Sequence, residues 1–494
     1  MTKTFSGGYR FKRFVGQPKD ELVSFGVPNR VIIPLTQGFG MSLEPLVKVG
    51  DLVSAGQIIA RDDNKVSSPI HSSINGRVVE IKKVNYFKRE VAMVVIEGDS
   101  SENFKTLEGF NPQWEKLSSE KIEELLYLSG VSSLDREGIP THFKSSIIMP
   151  EEVEDLIIHG ASSEVYNASL DVLLKGKNLS NLVEGIKILK KIMPQANVHL
   201  VLDKKKKVFI ERLKKLTYNL EKFQIDSVVA KYPQGYDEVL VPTILNKKFP
   251  YGYSAANIGI VILNIQAVLH VYEAVAEGKP LIDRIIAICG SSFKENIHLK
   301  VRVGTPLEFI LKDRIKDKSS RLILQSLLTG FDLKDLSLPI DRTFSQIIAI
   351  PENRERKFLA FLMPGFKKDS YSRTTLAKLV PLSNKLPDTN QHGEERPCIS
   401  CGFCDEVCPV GIIPHLLSKY IKRGIIDETL TNYNIFNCIE CGLCSYVCPS
   451  KIPLLKHMKE GHEKLIMQGC DLNQCILPYF NLKGIEEYRG VTKL

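Results

Sequence analysis

The sequence predicts a multidomain α/β protein that ends in a small helical, cysteine-rich domain. The chain has 494 residues, more than a single hydrophobic core usually organises. Residues 118–277 alternate between short, β-rich apolar runs and helical patterns, an order typical of a parallel sheet with crossover helices. Near the C-terminus, two similar stretches hold eight of the eleven cysteines. These observations together indicate several folded units, the last of which is organised by its cysteines.

The N-terminal part divides into an extension, residues 1–30, and a unit of short strands, residues 31–100. The stretches VKVGDLVSAGQIIA (Val47–Ala60) and SSPIHSSINGRVVEI (Ser67–Ile81) resemble the barrel-sandwich of biotinyl and lipoyl domains. In those domains a hairpin displays a modified lysine. Here the hairpin is several residues short and Lys65 lacks the usual neighbours. We therefore expect a structural, lipoyl-like barrel-sandwich without a swinging arm.

Residues 118–278 are predicted to form a Rossmann-like parallel α/β domain. Short apolar runs give its four candidate strands, which are Asp155–Ala161, Asn197–Asp203, Asp226–Ala230 and Ile258–Asn264. Helical patterns lie between them, at Ser180–Met193, Lys205–Leu216 and Gly235–Leu245. Residues 283–345 follow as a small β-rich unit, in which RIIAICG and KVRVGTPLEFIL are the recognisable parts. We expect Cys289, within the first of these, to be a buried core thiol.

The C-terminal part begins with a polar, proline-containing stretch, residues 365–397, which is predicted to be a linker. Residues 398–455 hold both cysteine-rich stretches and form the α-helical domain. Residues 456–494 are assigned to a C-terminal helix and tail, with an amphipathic helical pattern over Leu454–Met467. Cys470 and Cys475 fit no cysteine motif, so we expect them to be free thiols.

The two cysteine-rich stretches carry the chemistry. CISCGFCDEVCP begins at Cys398 and CIECGLCSYVCP at Cys438, so each is one copy of C-x2-C-x2-C-x3-C-P. This run is the bacterial ferredoxin signature for two [4Fe–4S] clusters, in which the fourth cysteine ligates the other cluster. Zinc ribbons, the alternative, use two C-x2-C knuckles and no such proline. The crossed pattern predicts a first cluster on Cys398, Cys401, Cys404 and Cys448, and a second cluster on Cys438, Cys441, Cys444 and Cys408.

Composition excludes some classes of function. The formal net charge of +9 is modest for this length, and we expect no nucleic-acid partner. The first residues, MTKTFSGGYRFKRF, contain no apolar core of the kind that a secretory signal has. Ile258–Leu269 is the most apolar stretch, but it is short and contains Asn264 and Gln266, so it predicts a buried strand leading into a helix. We expect no transmembrane segment in this sequence, so any membrane role must come through a partner.

Several stretches resemble the RnfC family, which supplies one subunit of the Rnf complex, over nearly the full chain. They include FSGGYRF near the N-terminus, the barrel-sandwich, both cysteine runs, and the following: GIPTHFK (Gly138–Lys144), KYPQG (Lys231–Gly235), VYEAVAEGKPLIDRIIAICG (Val271–Gly290) and RVGTPLEFIL (Arg302–Leu311). The resemblance implies a middle domain like the complex I flavoprotein subunit, followed by a β-grasp unit of the soluble-ligand-binding (SLBB) type. It also implies NADH and FMN in the middle domain and two [4Fe–4S] clusters at the C-terminus.

The nucleotide loops depart from the family pattern. Where the family has roughly G-x-G-G-A-G-F-P-T, residues 132–141 read SSLDREGIPT, so Asp135, Arg136 and Glu137 replace small residues. Two carboxylates would repel a flavin phosphate, and the added side chains would fill the space for the flavin. The next family motif survives only in part, as HGASSEVY (His159–Tyr166) with Glu164, and FPYGYSAANIG keeps only Gly252 and Gly259. We therefore predict an eroded loop and treat FMN and NADH as doubtful cofactors.

The resemblance leads to a main hypothesis about function and two alternatives. The main hypothesis is an electron-transfer subunit, peripheral on the cytoplasmic face of the cell membrane, that passes single electrons between a ferredoxin or similar carrier and membrane subunits of an Rnf-type complex. The first alternative is a soluble protein like the corrinoid reductase of propanediol utilisation. The second is a docking subunit that carries clusters but has no catalytic activity. Whether the chain is itself an enzyme stays open at this point.

Overall fold

A computed structural model describes residues 2–11, 14–38, 43–61, 68–87, 89–131, 153–161, 164–249, 255–317, 319–352 and 395–469. Several residues singled out above lie outside these ranges: Lys65, the loop 132–141, Gly252, most of the predicted linker, Cys470 and Cys475. All eight cysteines of the two runs lie within them.

The barrel-sandwich unit is built from short antiparallel strands. Its larger sheet has the order β2-β7-β6-β3, and a second sheet pairs β4 with β5. Buried aliphatic side chains such as Val31, Ile33 and Ile96 fill the space between the sheets. The strands are β2 (Arg30–Pro34), β3 (Leu52–Val53), β4 (Ile58–Ala60), β5 (Ile70–His71), β6 (Gly76–Tyr86) and β7 (Arg89–Gly98).

The α/β domain contains the predicted parallel sheet, with strand order β10-β9-β8-β11 and every neighbouring pair parallel. Its strands are β8 (Asp155–His159), β9 (Asn197–Asp203), β10 (Phe223–Val228) and β11 (Ile260–Asn264). The helices are α1 (Ser119–Ser129), α2 (Leu170–Leu173), α3 (Asn178–Ile192), α4 (Lys207–Leu216), α5 (Asp237–Leu245) and α6 (Ile265–Ala276). Parallel strands need crossover helices of this kind, which explains why strand and helix patterns alternate in the sequence. The predicted parallel sheet is confirmed.

Local signals place the ends of these helices. Helix α1 begins after Ser118, whose side chain accepts a hydrogen bond from the backbone N–H of Lys121, and it ends at Gly130 in the left-handed conformation. Asn264 ends β11 and caps α6 by accepting from the N–H of Ala267. Helices α1, α3 and α6 bury their aliphatic faces in one core with the sheet, and Trp114 belongs to that core.

A six-stranded mixed sheet follows, with the order β1-β13-β12-β16-β14-β15. Its strands are β1 (Leu22–Ser24), β12 (Asp283–Cys289), β13 (His298–Arg302), β14 (Arg321–Leu324), β15 (Phe331–Asp332) and β16 (Gln346–Ile350). Cys289 is fully buried in β12, as predicted. The stretch KVRVGTPLEFIL is strand only in its first half, because Pro306 precedes a short helix, α7 (Leu307–Leu311).

The N-terminal extension joins units that are far apart in the sequence. Lys3 forms a parallel bridge with Val228 at the end of β10, and Tyr9 forms an antiparallel bridge with Tyr232. Further along, β1 pairs in parallel with β13 of the mixed sheet. The extension is therefore part of the folded core of the molecule.

The cysteine-rich domain is helical. Its helices are α8 (Phe403–Glu406), α9 (Pro414–Lys422), α10 (Glu428–Asn432), α11 (Leu443–Val447) and α12 (Leu454–Met467). The last of these has the bounds that the amphipathic pattern predicts. Across the described residues, no helix combines the length and the apolar character that crossing a membrane requires.

Candidate iron–sulfur site and the adjoining cavity

The two cysteine runs fold in the same way. Ser400 and Glu440, at equivalent positions, have positive φ angles of 53° and 52°. Gly402 and Gly442 follow with φ angles of 75° and 79°, and a short helix begins immediately after each glycine. A non-glycine residue rarely adopts such angles, so the repeat in sequence is also a repeat of an unusual backbone path. Loops of this kind turn backbone N–H groups toward one centre, which suits an anionic cluster.

The segment that follows the fourth cysteine of the second run is hydrogen-bonded to the segment that precedes the first cysteine of the first run. Pro397, next to Cys398, accepts a hydrogen bond of 2.8 Å from the Ser450 hydroxyl. Arg396 donates its backbone N–H to the Ser450 carbonyl at 2.9 Å and its guanidinium to the Pro449 carbonyl at 2.8 Å. These bonds join the residues just before Cys398 to those just after Cys448.

The fourth cysteine of the first run lies near the thiols of the second. Burial raises the pKa of the Cys444 thiol well above its ordinary value, and the neighbouring thiols of Cys441, Cys438, Cys408 and, with the smallest effect, Cys404 raise it further. The pKa of Cys408 is also raised, by burial, although backbone N–H groups of the segment 410–412 donate to its sulfur and lower it. Such bonds to sulfur stabilise the thiolate that a cluster requires.

The donor set fits two iron–sulfur clusters. All eight cysteines are free thiols, and none is held in a disulfide. Burial raises the pKa of Cys404 and of Cys441 to about 12, so in the metal-free chain these thiols are protonated at neutral pH. Iron binds thiolates and displaces those protons, so its binding offsets the rise in thiol pKa that burial causes. Buried thiols brought together in this way suit a metal centre and are poorly suited to act as nucleophiles.

The two runs differ in exposure. Ile399 is 68% exposed, whereas Ile439, its equivalent, is 7% exposed. Cys401 is exposed and Cys441 is buried. A side chain added at Gly402 would meet no described atom within 4 Å, whereas one at Gly442 would contact Leu328 at 3.4 Å. The first run therefore faces the surface, and the second lies against the rest of the protein.

Two segments outside the helical domain hold the cysteine runs, one at each run. The hydroxyl of Tyr232 donates to the Cys441 carbonyl at 2.6 Å. The N–H of Gly8 donates to the carbonyl of Val407, next to Cys408, at 2.8 Å. A Cβ at Gly7 would lie only 2.5 Å from the carbonyl oxygen of Cys408. Glycine at this position therefore allows the N-terminal segment to approach the Cys408 backbone closely. Sequence reasoning missed these contacts, although the residues belong to the stretches FSGGYRF and KYPQG.

A cavity of about 670 Å³ lies next to the second run. It opens at the carboxyl ends of β8 and β11, where open α/β sheets bind their ligands. Glu440, between two cysteines of the second run, forms part of its wall. So do His159, Gly160, Ala161 and Glu164 of the HGASSEVY stretch. The cavity thus connects the α/β domain with the cysteine loops.

Polar groups in this wall have unusual environments. Burial raises the pKa of Glu164 to about 7, although a hydrogen bond from the Ser326 hydroxyl at 2.8 Å lowers it. Nδ1 of His159 and Oε1 of Gln346 are buried and have no hydrogen-bond partner among the residues that the structure describes. Buried polar atoms are usually paired, so these two are available to a bound molecule.

Comparison with known proteins gives three family matches in the predicted order. The RnfC barrel sandwich hybrid domain matches residues 3–101, the Nuo51 FMN-binding domain residues 127–273, and the 4Fe-4S dicluster domain residues 397–452. These matches support the RnfC family for this chain, and the first of them is to that family's own barrel-sandwich domain. The dicluster match contains all eight cysteines of the two runs, and the chain carries iron–sulfur clusters there.

Relatives from ion-translocating complexes align along most of the chain. The C subunit of the proton-translocating ferredoxin:NAD⁺ oxidoreductase complex of Clostridium ljungdahlii is 28% identical over 450 residues, which cover 88% of each chain. Its Na⁺-translocating counterpart from Acetobacterium woodii is 26% identical and aligns over 87% of this chain and 90% of its own. The corresponding Vibrio cholerae protein is 27% identical over 86% of this chain, which spans about half (51%) of that longer protein.

Among solved structures, an NAD⁺-reducing [NiFe]-hydrogenase chain is 11% identical, with a TM-score of 0.45 over 78% of this chain and 69% of its own.

The named relatives favour a subunit of the Rnf type over the corrinoid-reductase alternative. The match to the Nuo51 FMN-binding domain contains part of the cavity wall, including His159 and Glu164. Asp135, Arg136 and Glu137 lie outside the described residues, so the eroded loop stays a prediction.

Proposed function

We propose that this chain is the electron-transfer subunit of a membrane-associated Rnf-type (ferredoxin/NAD) oxidoreductase complex and relays single electrons through two [4Fe–4S] clusters. The observation that carries the proposal is the pair of cysteine runs, which share one backbone path and lie against each other. Each [4Fe–4S] cluster exchanges one electron at a time, so two adjacent clusters form a relay.

The ligands are proposed to be crossed. The first cluster takes Cys398, Cys401, Cys404 and Cys448, and the second takes Cys438, Cys441, Cys444 and Cys408. Support for the first set comes from the hydrogen bonds between Arg396–Pro397 and Pro449–Ser450. Support for the second comes from the effect of the Cys408 thiol on the pKa values of Cys441 and Cys444.

The partners are proposed to be membrane subunits on one side and a ferredoxin or similar soluble carrier on the other. The relatives are named as subunits of ion-translocating complexes, which supports membrane partners. The described residues contain no helix that could cross a membrane, so contact with the membrane is proposed to pass through those partners. A peripheral position on the cytoplasmic face follows, because ferredoxin and NAD are cytoplasmic partners in this proposal.

A flavin is not a required part of the proposed relay. The cavity wall offers two buried polar atoms without a partner among the described residues, on His159 and Gln346, which would hold a polar ligand. A flavin bound there would accept hydride from NADH and release electrons singly. The loop that should hold its phosphate, residues 132–141, carries Asp135 and Glu137 in place of small residues, which opposes binding.

Iron, sulfide and flavin analysis of the anaerobically purified chain tests the proposal. About eight iron atoms and eight sulfides per chain, with two one-electron reduction steps, are expected for two [4Fe–4S] clusters. Tightly bound zinc, or iron well below eight after reconstitution, would overturn the relay. About one FMN per chain, bleached by NADH, would rule out the purely docking alternative, whereas full iron without flavin would rule out NADH oxidation by this chain.

A further inference from the structure

Tyr232 connects the α/β domain to the second cysteine run. Its side chain is 1% exposed, and its hydroxyl donates to the Cys441 carbonyl at 2.6 Å. The Tyr236 hydroxyl lies 3.0 Å from the Tyr232 hydroxyl oxygen. A tyrosine hydroxyl has only one proton, so Tyr236 must be the donor in that second bond. The Tyr232 hydroxyl thus accepts a hydrogen bond from Tyr236 while it donates its own proton to the Cys441 carbonyl. That carbonyl belongs to the peptide group between Cys441 and Gly442.

The backbone around Tyr232 is fixed as well. Tyr232 and Tyr9 exchange two backbone hydrogen bonds, of 2.9 Å and 2.8 Å. The ammonium of Lys231 donates to the carbonyls of Phe5 and Gly7 at 2.5 Å and 2.6 Å. Because Gly8 in turn donates to the Val407 carbonyl, one assembly contacts the second run at Cys441 and the first run beside Cys408. Both contact points adjoin cysteines assigned to the second cluster.

The cavity lies on the same side as this assembly. Tyr236, Glu164 and Glu440 all border it, and the charge of Glu164 acts on the buried Tyr232 hydroxyl. The first run, by contrast, has its exposed Cys401 and Ile399 at the surface. The second cluster is therefore the inner one and the first the outer one.

We propose that Tyr232 is a positioning residue of the relay, which holds the Cys441 peptide so that the second cluster is fixed against the cavity as the inner redox centre. This inference rests on the proposed function, because it requires two clusters. A donated hydrogen bond withdraws electron density from the peptide oxygen beside the ligating sulfur. Without it, the negative end of the carbonyl dipole is uncompensated near the cluster and disfavours the added electron.

The test is Tyr232→Phe, which keeps the ring and removes the hydroxyl, with Tyr218→Phe as the matched control because Tyr218 is 80% exposed. Redox titration followed by electron paramagnetic resonance gives the midpoint of each cluster. The titrations are repeated with Cys401→Ser, which leaves the second cluster as the reporter, and with Cys438→Ser, which leaves the first. These assignments hold whether or not the ligands are crossed.

In Tyr232→Phe the second cluster is expected to become harder to reduce. Its reduced-to-oxidised ratio at the wild-type midpoint should fall by roughly two- to fivefold, the effect of one ordinary hydrogen bond, while the first cluster keeps its midpoint. Unchanged midpoints with full iron content, or a shift confined to the first cluster, would overturn the role of Tyr232. Absence of cluster signals in the wild-type chain would instead reject the proposed function.

Discussion

Glu164 gives a stability prediction that depends on pH. Its carboxyl lies at the cavity wall, where burial raises the pKa to about 7 and the Ser326 hydroxyl offsets part of the shift. The neutral form is therefore favoured in the folded protein below about pH 7. The change to make is Glu164→Gln, which keeps an oxygen to accept from Ser326 and cannot ionise.

The magnitude follows from the shift. A carboxyl whose pKa is raised on folding contributes stability that is fully present below its ordinary pKa of 4.5 and is lost as pH rises through about 7. At about 1.4 kcal/mol per pKa unit, the loss at pH 8 is at most about 3 kcal/mol. This is an upper limit because Glu164 keeps partial contact with solvent in the cavity, which screens its charge. The Glu164→Gln variant should not lose this stability as the pH rises, because its side chain cannot ionise.

Trp114 provides the assay. It is the only tryptophan, and it is 8% exposed in the core that α1, α3 and α6 share with the parallel sheet. Its fluorescence during urea unfolding therefore reports on the domain that contains Glu164. The stability advantage of Glu164→Gln over wild type should grow by about 2 kcal/mol between about pH 5 and pH 8. The surface variant Glu463→Gln is the control, and parallel pH profiles for wild type and Glu164→Gln would refute the reasoning.

Two further predictions concern the cysteine domain. Gly7→Ala should lower the iron content and stability of the chain, since the added methyl group meets the Cys408 carbonyl oxygen at 2.5 Å. Gly26→Ala is its control, because Gly26 shares the positive φ, which costs about 1 kcal/mol for alanine, but a Cβ there meets no described atom within 4 Å. Equal iron loss in both variants would contradict a role for the contact with Cys408. A soluble paramagnetic chelate should speed the relaxation of the first cluster's resonance signal more than that of the second, because Cys401 is exposed and Cys441 buried. Equal effects on both signals would contradict the inner and outer assignment.

Local patterns in the sequence were sufficient for much of the α/β domain and for the last helix of the cysteine-rich domain. The apolar run Asn197–Asp203 and the amphipathic run Leu454–Met467 have the same bounds in the structure. Such elements are specified by the period of their own side chains and by nearby caps, such as Asn264 before α6. The parallel order of the sheet also followed from the alternation of strands and helices.

Contacts across long sequence separations could not be predicted in this way. Nothing local in Leu22–Ser24 indicates that it pairs with β13, and nothing in KYPQG indicates that Tyr232 reaches Cys441. The cysteines proposed as ligands could be identified from the sequence because a cluster dictates their spacing. The residues that support them are determined by tertiary packing and could not. Pro306, which begins a helix within an apparent strand pattern, shows the same dependence on context.

The crossed ligation is tested most directly by Cys408→Ser, with Cys448→Ser as its reciprocal control. Cys408 belongs to the first run in sequence, but its thiol acts on Cys441 and Cys444 of the second. Electron paramagnetic resonance of the reduced, anaerobic Cys408→Ser protein should show loss or alteration of the second cluster's signal and an intact first cluster. Cys448→Ser should give the opposite result. Loss of only the first cluster's signal in Cys408→Ser would contradict the assignment and with it the arrangement of the relay.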